Sequence, residues 1–142
     1  MRSRKMGIKG ITAILAGVLM SLGIMTSVKA SNDSYSYQFT LRPHYANSYS
    51  SSRYRQTTDV SNKWKVNLQT STEGKGTKAT FWLSNENHKK ASETHTIAQG
   101  SGSHYYNAYS SASKRDVCLS VENNNDSSKS YKITGVWDEE TN

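Results

Sequence analysis

Apolar residues recur at every second position along most of this chain. Tyr35, Tyr37, Phe39 and Leu41 alternate with Ser36, Gln38 and Thr40, the pattern of a half-buried strand, and Pro43, the only proline, ends it. Trp64, Val66 and Leu68 alternate with Lys63, Lys65, Asn67 and Gln69 in the same way. Glu73-Gly74-Lys75-Gly76 reads as the turn of a hairpin whose second arm, residues 77–84, points Phe81 and Leu83 inward. Residues 85–90 turn again, residues 94–99 form a weaker strand, and Gly100-Ser101-Gly102-Ser103 is a flexible joint. Val117, Leu119 and Val121 make a further inner face, and residues 123–128 read as a polar hairpin turn. Tyr131, Ile133, Gly135 and Trp137 close the pattern as a last strand. About six to eight short strands with no long helical pattern predict an all-β domain, a small antiparallel β-sandwich or barrel-like fold. Helical turns are expected only in the Tyr/Ser-rich segments 44–52 and 104–113.

The first thirty residues follow different rules. Arg2, Arg4, Lys5 and Lys9 precede an uncharged apolar run over residues 11–25, and Val28 and Ala30 occupy the small-residue positions of a signal-peptidase site. A run of 15 residues falls short of the roughly 20 that span a bilayer. The expectation is a cleaved secretory signal over residues 1–30, cut between Ala30 and Ser31, with one domain over residues 31–142 released outside the cell. The membrane is then met only during export. This segment also changes the charge. Removing it takes away five of the 18 basic residues and none of the 11 acidic ones, so a precursor of +7 becomes a mature chain of 112 residues at +2. That balance gives no reason to expect a nucleic-acid partner.

Cys118 is the only cysteine, so no disulfide can form within the chain. A cysteine-poor exported domain points to a Gram-positive source. Alternation places Cys118 opposite Val117 and Leu119, on an outer face with Asp116 and Ser120, from which it could cross-link two chains. Asp116 would raise its pKa rather than activate it. His44, His88, His95 and His104 lack metal-ligand spacing, and no nucleophile elbow, zinc-protease helix or phosphate-cradling loop is present. Neither catalysis nor a cofactor is expected.

One phrase occurs twice. His44-Tyr45-Ala46-Asn47-Ser48-Tyr49-Ser50-Ser51-Ser52 aligns without gaps on His104-Tyr105-Tyr106-Asn107-Ala108-Tyr109-Ser110-Ser111-Ala112, and six of the nine positions are identical. Basic residues follow each copy, Arg53 and Arg55 after the first, Lys114 and Arg115 after the second. Two readings stay open. Both copies are connections stapled by a packed tyrosine; or they are paired loops at one end of the sandwich. In the second case His44, Tyr45, Asn47, Tyr49, Arg53, Arg55, His104, Tyr105, Asn107 and Tyr109 would bind an extracellular sugar, peptide or protein, such as a cell-envelope component.

Several stretches together resemble a known family. They are Arg53-Tyr54-Arg55-Gln56-Thr57-Thr58, Trp64-Lys65-Val66, Glu73-Gly74-Lys75-Gly76-Thr77, Phe81-Trp82-Leu83, Gly102-Ser103-His104-Tyr105-Tyr106, Glu122-Asn123-Asn124-Asn125 and Gly135-Val136-Trp137-Asp138-Glu139-Glu140. In these the mature chain resembles a small secreted family of Gram-positive bacteria known only as a domain of unknown function. That resemblance implies export and a single domain, and it implies no activity. In composition and layout, though not in aligned motif, the chain is also similar to lactococcin-type bacteriocins, which makes a secreted toxin the alternative to a binding module.

Overall fold

Each strand expected from period-two alternation is present in the structure, a computed structural model that describes residues 32–141. The predicted cut between Ala30 and Ser31 falls outside the described residues. Nine strands form, one more than the upper expectation: β1 (Tyr35–Leu41), β2 (Ser48–Tyr49), β3 (Arg53–Arg55), β4 (Trp64–Ser71), β5 (Lys78–Asn85), β6 (His95–Ala98), β7 (Ser103–Tyr106), β8 (Arg115–Asn123) and β9 (Tyr131–Asp138). They make two antiparallel sheets. One has the order β1-β9-β4-β7; the other has the order β2-β8-β5-β6, with β3 pairing β8 beyond β2. The sheets face each other as an open sandwich and do not close into a barrel.

The inner faces carry the residues that alternation assigned to them. Leu41, Trp64, Val66, Leu68, Phe81, Leu83, Val117, Leu119, Val121 and Ile133 are all fully buried in one core, each worth about 1.5–3 kcal/mol of transfer free energy. Tyr37 lies across Gly135, its cross-strand partner, and its hydroxyl donates to the carbonyl of Asn67 at 3.0 Å. The β4–β9 register shifts between Leu68 and Thr70, leaving Gln69 as the extra residue of a bulge. Burial pushes the Tyr37 phenol well above its usual pKa.

Three expectations are corrected. Residues 72–77 do not close a hairpin: β4 and β5 belong to different sheets, so this turn carries the chain from one sheet to the other across an end of the sandwich, and Gly74 and Gly76 supply its positive φ angles of 117° and 82°. Residues 124–130 likewise cross from one sheet to the other rather than joining paired strands. Cys118 is on the outer face of its sheet, as alternation requires, yet it is only 4% exposed. The connection after β5 turns back beside that strand, where Lys90 bridges to Ser84 and its amine reaches over the outward ring of Trp82, while Cys118 Sγ lies against the β5 carbonyls of Ser84 and Asn85. Burial, not Asp116, raises the thiol pKa. The exposed thiol expected on that face is therefore not present.

Residues 138–141 are clasped against the segment that follows β3. Arg55 is 1% exposed, and its guanidinium donates to the main-chain carbonyls of Glu139, Asp59 and Asn62. Burial lowers its pKa, and Glu140, Glu139, Asp59 and Asp138 act the other way to hold the charge. The Glu140 carboxylate accepts from the amides of Gln56 and Thr57 at 3.0 and 2.8 Å. Asp138 is buried beside them, and desolvation lifts its carboxyl to a pKa of about 7.

Candidate functional site

The two copies of the repeated phrase do not meet. The first supplies β2 and leads into β3, which line one margin of the five-stranded sheet against β8. The second supplies β7, the edge of the four-stranded sheet farthest from β1, and then a short 3-10 turn over Ser110–Ala112. Each copy has its own local partners. In the first, His44 bonds Asp126 at 2.6 Å, and Tyr45 stands 48% exposed. With its amide oriented to satisfy both neighbours, Asn47 donates to Glu122 and accepts from the Tyr49 hydroxyl, and the Tyr49 ring stacks flat on His88 at 3.8 Å. In the second, His104 bonds the Ser101 hydroxyl at 2.8 Å, Tyr105 and Asn107 face solvent, and the Tyr109 hydroxyl donates to Glu93 at 2.5 Å. The neighbouring Tyr106, not singled out from the sequence, stacks on His95 at 3.5 Å. Arg55 belongs to the clasp described above, with its guanidinium committed to main-chain carbonyls.

What remains of the first copy borders a cleft of about 430 Å³. One wall is β1, from Tyr35 to Phe39. The other is the connector from Tyr49 to Arg53, with Trp137 contributing from β9. The cleft is therefore the seam where β1, the last strand of one sheet, lies beside the broken β2–β3 margin of the other. Ser50 anchors the connector: its amide donates to Leu119 O, and its hydroxyl accepts from Leu119 N, both at 2.9 Å. At one end the Arg53 guanidinium covers the Tyr35 ring at 3.0 Å, and its Nε donates to Glu139 at 2.8 Å. The Tyr35 hydroxyl donates to Asp33, which raises the phenol pKa. The Nη groups of Arg53 meet no hydrogen-bond partner among the described residues, so one cation still offers donors at the cleft mouth.

Chemically, this seam can bind. It offers serine hydroxyls, tyrosine faces, Gln38 and a guanidinium, with Tyr37, Phe39 and Trp137 beneath. Sequence reasoning found Tyr49 and Arg53 but missed the β1 wall, because nothing in an alternating strand shows whether its edge is paired. A second, shallower recess of about 310 Å³ lies between residues 73–78 and Asn124–Asn125. Among the described residues, no three His, Cys, Asp or Glu side chains converge as metal ligands would.

The fold and seam define the class: a two-sheet antiparallel sandwich with one open side. Residues 25–141 match a family described as a protein of unknown function (DUF2712), and the chain belongs to that family. No curated protein and no solved structure matches the chain.

Proposed function

We propose that this protein is a secreted, non-catalytic binding module of a Gram-positive cell, and that it holds an extracellular or cell-envelope ligand in the seam between β1 and the Tyr49–Arg53 connector. The cleft itself carries the reading. It joins hydroxyl donors, aromatic faces and the Nη groups of Arg53, which meet no partner among the described residues, around a space of about 430 Å³, within the range of small-ligand sites. Export is supported by the basic and apolar pattern of residues 1–30. A non-catalytic role is supported by Cys118, whose thiol is buried with a raised pKa.

The test is retention of the exported protein on purified Gram-positive cell walls, compared with a Ser51→Trp variant that fills the cleft. Retention that the variant loses, with an unchanged unfolding midpoint, supports the module. Retention no better than that of an unrelated sandwich domain removes it. The bacteriocin-like alternative rests on composition and layout, and its test is growth of related strains under micromolar protein.

A further inference from the structure

We infer that the ligand of the seam is an extended polypeptide segment, which adds to β1 as a further strand. This rests on the binding-module reading and names its partner class.

The main chain of β1 dictates the geometry. In an antiparallel ladder the N–H and C=O of one residue point to the same side, and successive residues alternate. Thr72 N donates to Lys132 O, and Lys132 N donates to Thr72 Oγ1, both at 2.9 Å, so the even residues of β9 point toward β4. Its odd residues therefore point toward β1, and through the register Phe39↔Ile133 and Tyr37↔Gly135 they bond the odd residues of β1. The even residues of β1 face the other way. Thr40 confirms this independently: its carbonyl accepts from the Ser48 hydroxyl of the opposite wall at 3.4 Å. The N–H and C=O groups of Ser36 and Gln38 thus project into the cleft, and no partner meets them among the described residues. They lie about 7 Å apart, which matches the repeat of an extended backbone.

A second observation sets β1 apart. Natural edge strands are protected by shortness, charge, proline, bulges or a covering loop, and the Tyr49–Arg53 connector runs beside β1 without pairing the main chain of Ser36 or Gln38 among the described residues. The other edge strands are short: β2 has two residues, β3 three, and β6 and β7 four each. β1 has seven residues, Tyr-Ser-Tyr-Gln-Phe-Thr-Leu, in unbroken register with β9 and without one charged residue or proline. An edge this long and neutral is adhesive unless it is used. The opposite wall decides what can use it. Because the Tyr49–Arg53 connector flanks the seam, a single strand can enter between the two sheets, whereas a second folded copy would bring its own sheet against that wall. Tyr37, Phe39 and Trp137 beneath favour apolar side chains at alternate positions of the incoming segment.

The experiment uses isotopically labelled protein exported from the full chain and a peptide selected from a displayed random heptapeptide library. In the free protein the Ser36 and Gln38 amides should exchange quickly while those of Tyr37 and Phe39 are protected. The peptide should slow Ser36 and Gln38 at least tenfold. Gln38→Pro, which removes an N–H that β9 does not use, should weaken the peptide at least tenfold. N-methylation at alternate peptide amides should do the same with the protein unaltered. A peptide that binds without slowing those amides, or a library that yields none, overturns strand addition. Protection that is already present and rises with protein concentration gives the edge to a second copy and also overturns it. A soluble peptidoglycan fragment bound in the cleft without any peptide keeps the module and rejects the strand; failure of both ligands rejects both.

Discussion

Replacing Gly135 with alanine puts a methyl group where the fold has no room. Its Cβ would stand 1.9 Å from the main-chain oxygen of Asn67, and 2.5 and 2.7 Å from the Tyr37 hydroxyl and ring. The cause is local. The β4 bulge after Leu68 brings the β4 backbone over Gly135, and Tyr37 crosses the same position from β1. A backbone oxygen cannot swing aside as a side chain can, so β4 or β9 must move by about 1 Å or more. Overpacking of this kind costs about 1–3 kcal/mol and sometimes more. Losing the Tyr37–Asn67 hydrogen bond adds about 1 kcal/mol, so the expected total is about 3 kcal/mol or above. For a domain of this size that lowers the melting temperature by roughly 12 °C. Thermal unfolding followed by tryptophan fluorescence reads this directly. Gly135→Ala in a Tyr37→Phe background discriminates the cause, because that change removes the hydroxyl and leaves the Asn67 oxygen in place. A loss below about 1 kcal/mol, or full rescue by Tyr37→Phe, would refute the backbone-clash reasoning.

Three further outcomes follow from the buried polar groups. Arg55→Leu should destabilise by about 3–5 kcal/mol, because it strands three carbonyls and uncovers Glu140; urea unfolding measures it, and a loss under about 1 kcal/mol would show that the clasp is not structural. Asp138 should make the protein less stable as pH rises: the native state keeps its proton up to about pH 7, whereas the unfolded chain loses it near pH 4. Stability should therefore fall between about pH 4 and pH 7, with Lys65, Glu139 and Asp33 as the charges around the group, and Asp138→Asn should flatten that slope in urea titrations at several pH values. Cys118 should label with a maleimide only under denaturing conditions, and non-reducing electrophoresis should show a monomer; fast native labelling would contradict its burial.

The long strands were legible because each presents three or four inward residues at period two, as Val117, Leu119 and Val121 do. β2, β3 and β7 were not, since strands of two to four residues hold too few positions to show a period. Residues 72–77 and 124–130 have ordinary turn chemistry, and turn chemistry does not say whether the next strand pairs with the last or crosses to the facing sheet. Cys118 looked exposed because alternation assigns a face but not what lies over that face. Arg55 reads from the sequence as a ligand-binding cation, and only the packing of both chain segments shows its guanidinium buried against main-chain carbonyls beside the acidic run 138–140. Of the ten residues proposed from the repeated phrase and its basic neighbours, Tyr49 and Arg53 line the cleft. The β1 wall was hidden because an open edge is a property of topology.

The most direct test of the account is hydrogen exchange across the exported protein, free and bound to its producer's cell envelope. New protection should concentrate in residues 35–40 and 49–53, the two walls of the seam. Binding that leaves those residues unchanged, and instead protects the recess at residues 73–78 and 124–125, would contradict it.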